Sequence, residues 1–384
     1  MFLHALDDRA ISRLTAKVSG HLAEAGHTVA ILSAGCRQEP TAETVSVPRG
    51  VAQYGLRFGD QHTARATKAF SRFAAEWKPD VVFAHMNGPA RTAIVGRALT
   101  RSRTRIVTVQ HTHATTFDRV GPIRHMITSA LLPRADLVTA VGPYILEDLI
   151  SQYPRVAGKT AVLPPVGPEP AEVSSANAEV PDHPWFRGIE RPFIVTCVGN
   201  LVERKGQATL VDALPMLRST LGDVRLVLVG REDDETFTRR LRSAALAAGV
   251  EQHVWWAGYV RDPLPIIARS NVFAITSHSE GGPMVVLEAM ACGVPVVSSD
   301  CPAGPRYLLD EGRAGLLVPP RDAAAVAAAI VRLASDEDLR AEFVRRGLER
   351  VAVFEPRKVA RLYAQVAGRV CDSPADARGT VRLS

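Results

Sequence analysis

Short β-branched runs alternate with longer amphipathic stretches along almost the whole chain, and this alternation constrains the fold more than any single motif. A strand, a crossover helix and a second strand make the βαβ unit, so the pattern implies parallel sheets with helices on both faces. In the first half, Phe2–Leu6, Thr28–Leu32, Val81–His85, Arg105–Gln110, Leu137–Val141 and Thr160–Leu163 read as strands. Between them Ser12–Ala25, Thr63–Trp77, Ala90–Leu99 and Tyr144–Gln152 carry a helical period. From Pro168 the text changes to PEPAEVSSANAEVPDHPWFRG, whose Pro, Ala, Ser and acidic residues read as a connector. A second series then places strands at Phe193–Val198, Arg225–Val229, Val254–Ala257, Val272–Thr276, Pro295–Ser298 and Gly315–Val318. Its helices are Gln207–Ser219, Glu235–Ala248, Leu264–Arg269, Met284–Ala291, Ala323–Ala334, Glu337–Val351 and Arg357–Val370. The 384 residues suit two domains of medium size. The division expected is a first α/β domain over 1–167, a connector over 168–190 and a second α/β domain over 191–355. A last helix over 356–371 can cross back to the first domain, and 372–384 form a tail.

Composition narrows the class of function. With 46% hydrophobic and 22% charged residues the chain can bury sizeable cores, which excludes wholesale disorder. Its 46 basic residues exceed its 40 acidic ones, and nearly all the basic ones are arginine, which suits bidentate contacts with phosphate or carboxylate, so anionic partners fit. The five cysteines, Cys36, Cys197, Cys292, Cys301 and Cys371, are scattered and form no C-x-x-C pair, so neither a disulfide framework nor a zinc ribbon is indicated. No apolar run approaches the ~18–20 residues that span a bilayer. The expected location is the cytoplasm, with peripheral contact at the inner face of the membrane as the one other option.

Most of the chemistry is concentrated in SHSEGGPMVVLEAMACGVPVVSSDCPAGPR, from Ser277 to Arg306. A strand ends in a loop holding Gly281 and Gly282, and Pro283 then opens an apolar helix, as proline suits a first helical turn. The amides of Gly282, Met284 and Val285, with the positive end of the helix dipole, form a place for phosphate. Glu280 lies before the helix. Glu288 lies inside it, among Val285, Val286, Leu287, Ala289, Met290 and Ala291, where an unpaired carboxylate would be costly. Two carboxylates flanking a phosphate site suit a diphosphate carrying a hydroxyl-rich group at each end.

The two glutamates with seven residues between them, followed by the A-M-A-x-G-x-P-V-V run of Ala289–Val297, resemble the retaining glycosyltransferases of family 4. The resemblance implies the GT-B fold, two facing Rossmann-like doubly wound parallel-sheet domains with a cleft between them. It implies that Glu280 contacts hydroxyls of a donor hexose, that Glu288 binds the ribose, and that Gly281, Gly282, Pro283, Met284 and Val285 meet the sugar and diphosphate. A second match is CVGNLVERKG, where the family carries G-R-L-x-x-x-K-G with both cations on the diphosphate. Lys205 is in place, but Asn200 stands where the family has arginine, and Arg204 can substitute if its side chain points inward. A third match, WWAGYVRDPLP, implies that Gly258, Tyr259 and Val260 line the nucleotide base. In the first half the strand RIVTVQ runs into HTHATTFD, and His111 aligns with the family histidine that reaches the donor sugar, with His113 as runner-up. No glycine occurs in MFLHALDDRAIS, where the family has a glycine-rich loop. Either residues 7–12 build a different loop or the start trims the first strand.

The expected activity is retaining, metal-independent transfer of a hexose from a nucleoside diphosphate sugar, a UDP-sugar ahead of a GDP-sugar. The acceptor is a hydroxyl of a cell-envelope glycan, a lipid-linked molecule or a small metabolite, with no further cofactor and no nucleic acid partner. A donor-binding subunit that has lost transfer, or an epimerase of the same fold, are the alternatives. Asp336-Glu337-Asp338 has the D-x-D pattern of metal-dependent transferases, but ASDEDLRAEF reads as a capped helix start on a surface. The helix HTARATKAFSRFAAEWK, with Phe70, Phe73 and Trp77 on one side and Arg65, Lys68 and Arg72 on the other, either lies on anionic lipid or packs its aromatics on the sheet.

Overall fold

The computed structural model describes residues 1–7, 9–35, 45–56, 64–114, 122–188 and 191–372. Cys36 and part of the tail beyond 372 lie outside them. The chain divides into two compact units, Met1–Val166 with Pro356–Ser384, and Gly167–Glu355.

In the first unit seven strands form one parallel sheet: β1 (Phe2–Ala5), β2 (Val29–Gly35), β3 (Val51–Gly55), β4 (Val81–His85), β5 (Arg105–Gln110), β6 (Leu137–Ala140) and β7 (Thr160–Val162). Their order is β3-β2-β1-β4-β5-β6-β7, so chain direction across the sheet reverses between β1 and β4. The helices are α1 (Ala10–Glu24), α2 (Ala64–Trp77), α3 (Asn87–Thr100), α4 (Pro122–Leu131) and α5 (Pro143–Gln152). Burial on both faces explains the nearly unbroken apolar strands such as Leu137–Ala140, all four residues of which are buried. The aromatic side of α2 faces inward. Phe70 is fully buried and stacks on Phe2 with ring centroids 5.4 Å apart, while Phe73 stacks on Trp77 and meets Tyr54 edge-on.

The second unit repeats the plan with six parallel strands: β8 (Phe193–Val198), β9 (Val224–Val229), β10 (Val254–Gly258), β11 (Val272–Ile275), β12 (Val296–Ser299) and β13 (Leu316–Val318). Their order is β10-β9-β8-β11-β12-β13, with the reversal between β8 and β11. Around them lie α6 (Pro170–Ala178), α7 (Gln207–Leu221), α8 (Glu235–Ala247), α9 (Leu264–Ala268), α10 (Met284–Ala291), α11 (Gly304–Leu308), α12 (Ala323–Ser335) and α13 (Glu337–Val351). Asp336 caps α13 by accepting from the Leu339 amide at 2.9 Å, so the D-x-D look-alike is a helix start. A last helix, α14 (Pro356–Asp372), buries Val359, Tyr363, Val366 and Val370 in the first unit, where it packs along α1.

The stretch 168–190, expected as a bare connector, contains α6 and belongs to the second unit. Glu169 and Glu172 close a capping box, and Arg269 holds the helix end by donating to the carbonyl of Asn177 at 3.0 Å. Strand β3 and helices α4 and α11 had no counterpart in the periodicity. Residues Val51–Gly55 form an exposed edge strand, where no apolar alternation is required.

Glycine is obligatory where the loops after β8 and β11 meet. Gly206 has φ +63°, and a Cβ there would lie 2.1 Å from the Thr276 carbonyl oxygen. Gly249 has a similar φ of +66° with nothing within 4 Å. In chemical denaturation Gly206→Ala is therefore expected to cost more than about 3 kcal/mol, and Gly249→Ala only the left-handed penalty of about 1 kcal/mol. Equal losses would contradict this packing.

Candidate active site in the second unit

In an open α/β sheet the carboxyl ends of the two strands at the reversal leave a crevice for ligands. Here those strands are β8 and β11, and their following loops, Gly199–Gly206 and Thr276–Pro283, are stitched together. Thr276 Oγ1 donates to the Gly206 carbonyl at 2.8 Å, and the His278 amide donates to the Arg204 carbonyl at 2.8 Å. Gln207, fully buried, reaches back to the carbonyls of Gly199 and Asn200 at 3.1 and 3.0 Å.

A charge pair of buried Glu280 and half-buried Lys205 sits where the loops meet. Lys205 Nζ lies 2.6 Å from Glu280 Oε1, and Ser277 Oγ donates to the same oxygen at 2.6 Å. The Arg204 guanidinium donates to the Ser279 carbonyl at 2.7 Å and lies 3.7 Å from Glu280 Oε2. Glu280 is only 7% exposed. Burial pushes its carboxyl up, but the Lys205 ammonium, the hydrogen bonds from Lys205 and Ser277, and Arg204 outweigh burial and hold it below the usual carboxylate value. Glu280 also bridges to Ala303, whose φ of +81° is uncommon for a residue with a side chain. Next to it Gly304 leaves room for the loop, since a Cβ there would stand 2.6 Å from the Gly281 carbonyl oxygen and from Pro283 Cδ.

Helix α10 begins at Met284, with Pro283 as its N-cap in an extended conformation rather than in the first turn. The Met284 and Val285 amides lead the helix, where the ladder offers no preceding carbonyl. Glu288 is buried inside it at 6% exposure. Two cations and the Glu280 carboxylate thus meet at the crevice end of the sheet, just ahead of the helix that carries Glu288.

The sequence model of glycosyltransferase family 4 matches residues 11–166, and that of the glycosyl transferases group 1 matches residues 192–336. A phosphatidyl-myo-inositol mannosyltransferase of Mycolicibacterium smegmatis is 30% identical over 370 residues, covering 90% of this chain and 88% of the relative. The chain belongs to the family 4 glycosyltransferases. A GDP-mannose-dependent alpha-(1-6)-phosphatidylinositol monomannoside mannosyltransferase of Mycobacterium tuberculosis is 32% identical over 256 residues, 63% of each chain. Among solved structures, sucrose-phosphate synthase of Thermosynechococcus elongatus superposes with a TM-score of 0.76 at 22% identity, covering 96% of this chain and 98% of the other. A Rickettsia africae glycosyltransferase gives 0.78 at 17% identity, covering 97% and 98%. These likenesses show the GT-B fold.

Within the second unit of this glycosyltransferase, Lys205, Arg204 and Glu280 converge, with Gly281–Val285 beside them. Asn200 does not extend the cationic group. Its Nδ2 donates to Asp233 Oδ2 at 2.5 Å, so a carboxylate stands beside the position where the family has arginine. Arg231, absent from the sequence reading, lies with its guanidinium 4.0 Å above the Tyr259 ring. The Leu201 amide donates to the Arg231 carbonyl at 2.7 Å, which ties that loop to the one after β8. Gly258 takes φ +64° and accepts from the Gly230 amide at 2.8 Å, while Val260 packs into a small core with Phe186 and Ile266. Among the described residues no helix is long and apolar enough to cross a membrane.

His111 belongs to the first unit and is 9% exposed, its Nε2 2.9 Å from Nδ1 of His85, a residue the sequence reading passed over. His113 instead faces Asp148, 3.6 Å away. After β1, Ser12 Oγ donates to the Ala5 carbonyl at 3.1 Å and accepts from the Asp7 amide at 3.2 Å.

Two outcomes follow from these charges. Lys205→Met leaves Glu280 buried with only the more distant Arg204, and is expected to lower stability by about 3 kcal/mol in calorimetry. A loss below about 0.5 kcal/mol would mean that the pair is effectively solvated. Burial holds His111 down to about 4, whereas the unfolded chain takes up that proton near 6.5. Stability is therefore expected to fall as pH drops from 6.5 toward 4, with His111 contributing on the order of 3 kcal/mol, and His111→Gln should make that slope shallower while the buried His85 keeps the rest.

Proposed function

We propose that this glycosyltransferase moves a hexose from a nucleoside diphosphate hexose to a hydroxyl acceptor with retention of anomeric configuration and without a metal ion. The observation that carries the proposal is the pairing of half-buried Lys205 with buried Glu280 just ahead of the leading amides of α10 at the sheet reversal. As the glycosidic bond lengthens, negative charge collects on the leaving diphosphate, and a preorganised ammonium with helix-leading amides is suited to receive it. Glu280, held ionised by Lys205, can accept hydrogen bonds from the hexose hydroxyls, and Glu288 those from the ribose. Arg204 takes the place of the cation missing at Asn200. Retention follows if the acceptor attacks from the face the diphosphate leaves, with the departing phosphate oxygen taking the acceptor's proton. His111 is assigned to the edge of the hexose.

For the donor, the names of two relatives favour a mannosyl group and one of them names GDP-mannose, which shifts the preference from the uridine donor expected from the sequence toward a guanosine one. The same names favour a hydroxyl of an inositol lipid headgroup as acceptor, reached from the membrane surface. A second reading, donor binding without transfer, is favoured by the Asn200–Asp233 contact, which puts a carboxylate near the diphosphate.

A thermal-shift panel of GDP, UDP, ADP and CDP in EDTA tests the donor. GDP at a hundredfold over its dissociation constant should add about 2.7 kcal/mol, and Glu288→Ala should abolish the shift. In turnover of GDP-mannose with vesicles containing phosphatidylinositol, Lys205→Ala and Glu280→Ala are each expected to lose about 100-fold or more in kcat, and the product to keep the donor's anomeric configuration. Full activity in both variants would overturn the assignment. A shift with GDP but no turnover with any acceptor would favour the binding subunit.

A further inference from the structure

His85 ends β4 and His111 follows β5, and the two strands run side by side with His85 opposite Val109. His111, two residues beyond Val109, lies on the same face of the sheet. The imidazoles lie edge to edge and nearly coplanar, with centroids 5.2 Å apart and planes at 27°, and His85 Nδ1 stands 2.9 Å from His111 Nε2. His85 is held from behind by the parallel ring of Tyr363 on α14 at 6.5 Å, and Tyr363 packs in turn on Phe83 at 4.9 Å. The backbone just after His85 is fixed as well: Met86 has φ +71° and its amide donates to the Val109 carbonyl at 2.9 Å. His85 is 1% exposed, so the pair is walled in.

Burial pushes both imidazoles well below their ordinary value, so at neutral pH each carries a single ring proton. The 2.9 Å contact admits only one proton between Nδ1 and Nε2, which couples the two tautomers. If His111 were the donor, His85 would carry its proton on Nε2, an atom that is buried with no hydrogen-bond partner among the described residues. An orphaned buried N–H is the rarer and less favourable arrangement. With His85 as donor, that atom holds only a lone pair.

We propose that His85 is a positioning residue that donates from Nδ1 to His111 Nε2 and so holds His111 in the single tautomer whose Nδ1 carries the proton. His111 then meets its ligand as a hydrogen-bond donor. Without the lock a neutral imidazole exchanges between donor and acceptor at the same atom, and part of the population presents the wrong one. The consequence for transfer rests on the assignment of His111 to the hexose edge, whereas the tautomer itself does not.

Long-range proton–nitrogen-15 correlation spectra of the full chain labelled at histidine, with His111 assigned by its loss in His111→Gln, read the tautomer directly at neutral pH. The expected result is His111 protonated on Nδ1 alone. His85→Phe should convert it to a mixture and lower kcat by about 10- to 100-fold with little change in donor KM. His85→Asn, whose Nδ2 keeps a donor near the same place, should restore the tautomer and most of kcat. A wild-type His111 protonated on Nε2, or a tautomer indifferent to His85→Phe, would overturn the proposal. Because the spectra need no turnover, failure of the transferase reading would appear separately, as a wild-type protein with the expected tautomer and no activity.

Discussion

The crevice end of the second unit is organised around the need to keep a buried glutamate paired with a half-buried lysine. Such a pair contributes little net stability, since desolvating two charges offsets most of their attraction. The surrounding residues hold the geometry instead. Gly206 lets the loop after β8 lie against the Thr276 carbonyl, Ser277 gives Glu280 a second donor, and Ala303 tolerates a left-handed backbone beside it. Removing the side chain at Gly206 or Gly304 is what allows these loops to close on one another. An arrangement with strain and buried charge concentrated at one end of a sheet is consistent with a ligand that replaces one partner of each charge.

Much of this was legible in the sequence because parallel strands and their crossover helices carry strong periodic signals. Val81–His85, Arg105–Gln110, Phe193–Val198, Met284–Ala291 and Glu337–Val351 stand where the periodicity placed them. The edge strand Val51–Gly55 was silent, since an exposed strand needs no apolar alternation. Helix Pro170–Ala178 was masked by a composition that resembles a loop, and it owes its order to a capping box and to Arg269, about ninety residues later in the chain.

The site divides along the same line. Glu280, Lys205 and the helix of Glu288 were visible as local motifs, and the burial of Glu288 follows from its apolar neighbours. Partners distant in sequence were not visible. That Asn200 pairs with Asp233, that Arg231 covers Tyr259 and that His85 meets His111 are consequences of strand order, which brings the ends of β8 and β9, of β9 and β10, and of β4 and β5 side by side. The only hint of His85 was a histidine closing an otherwise apolar strand.

The central claim is that the crevice formed by the loops after β8 and β11 receives a diphosphate. A crystal structure of the protein with GDP tests it most directly. The account places the diphosphate oxygens within hydrogen-bond reach of Lys205 Nζ and the Met284 and Val285 amides, with the ribose on Glu288. A nucleotide bound elsewhere, with Lys205 still engaged only by Glu280, would contradict it.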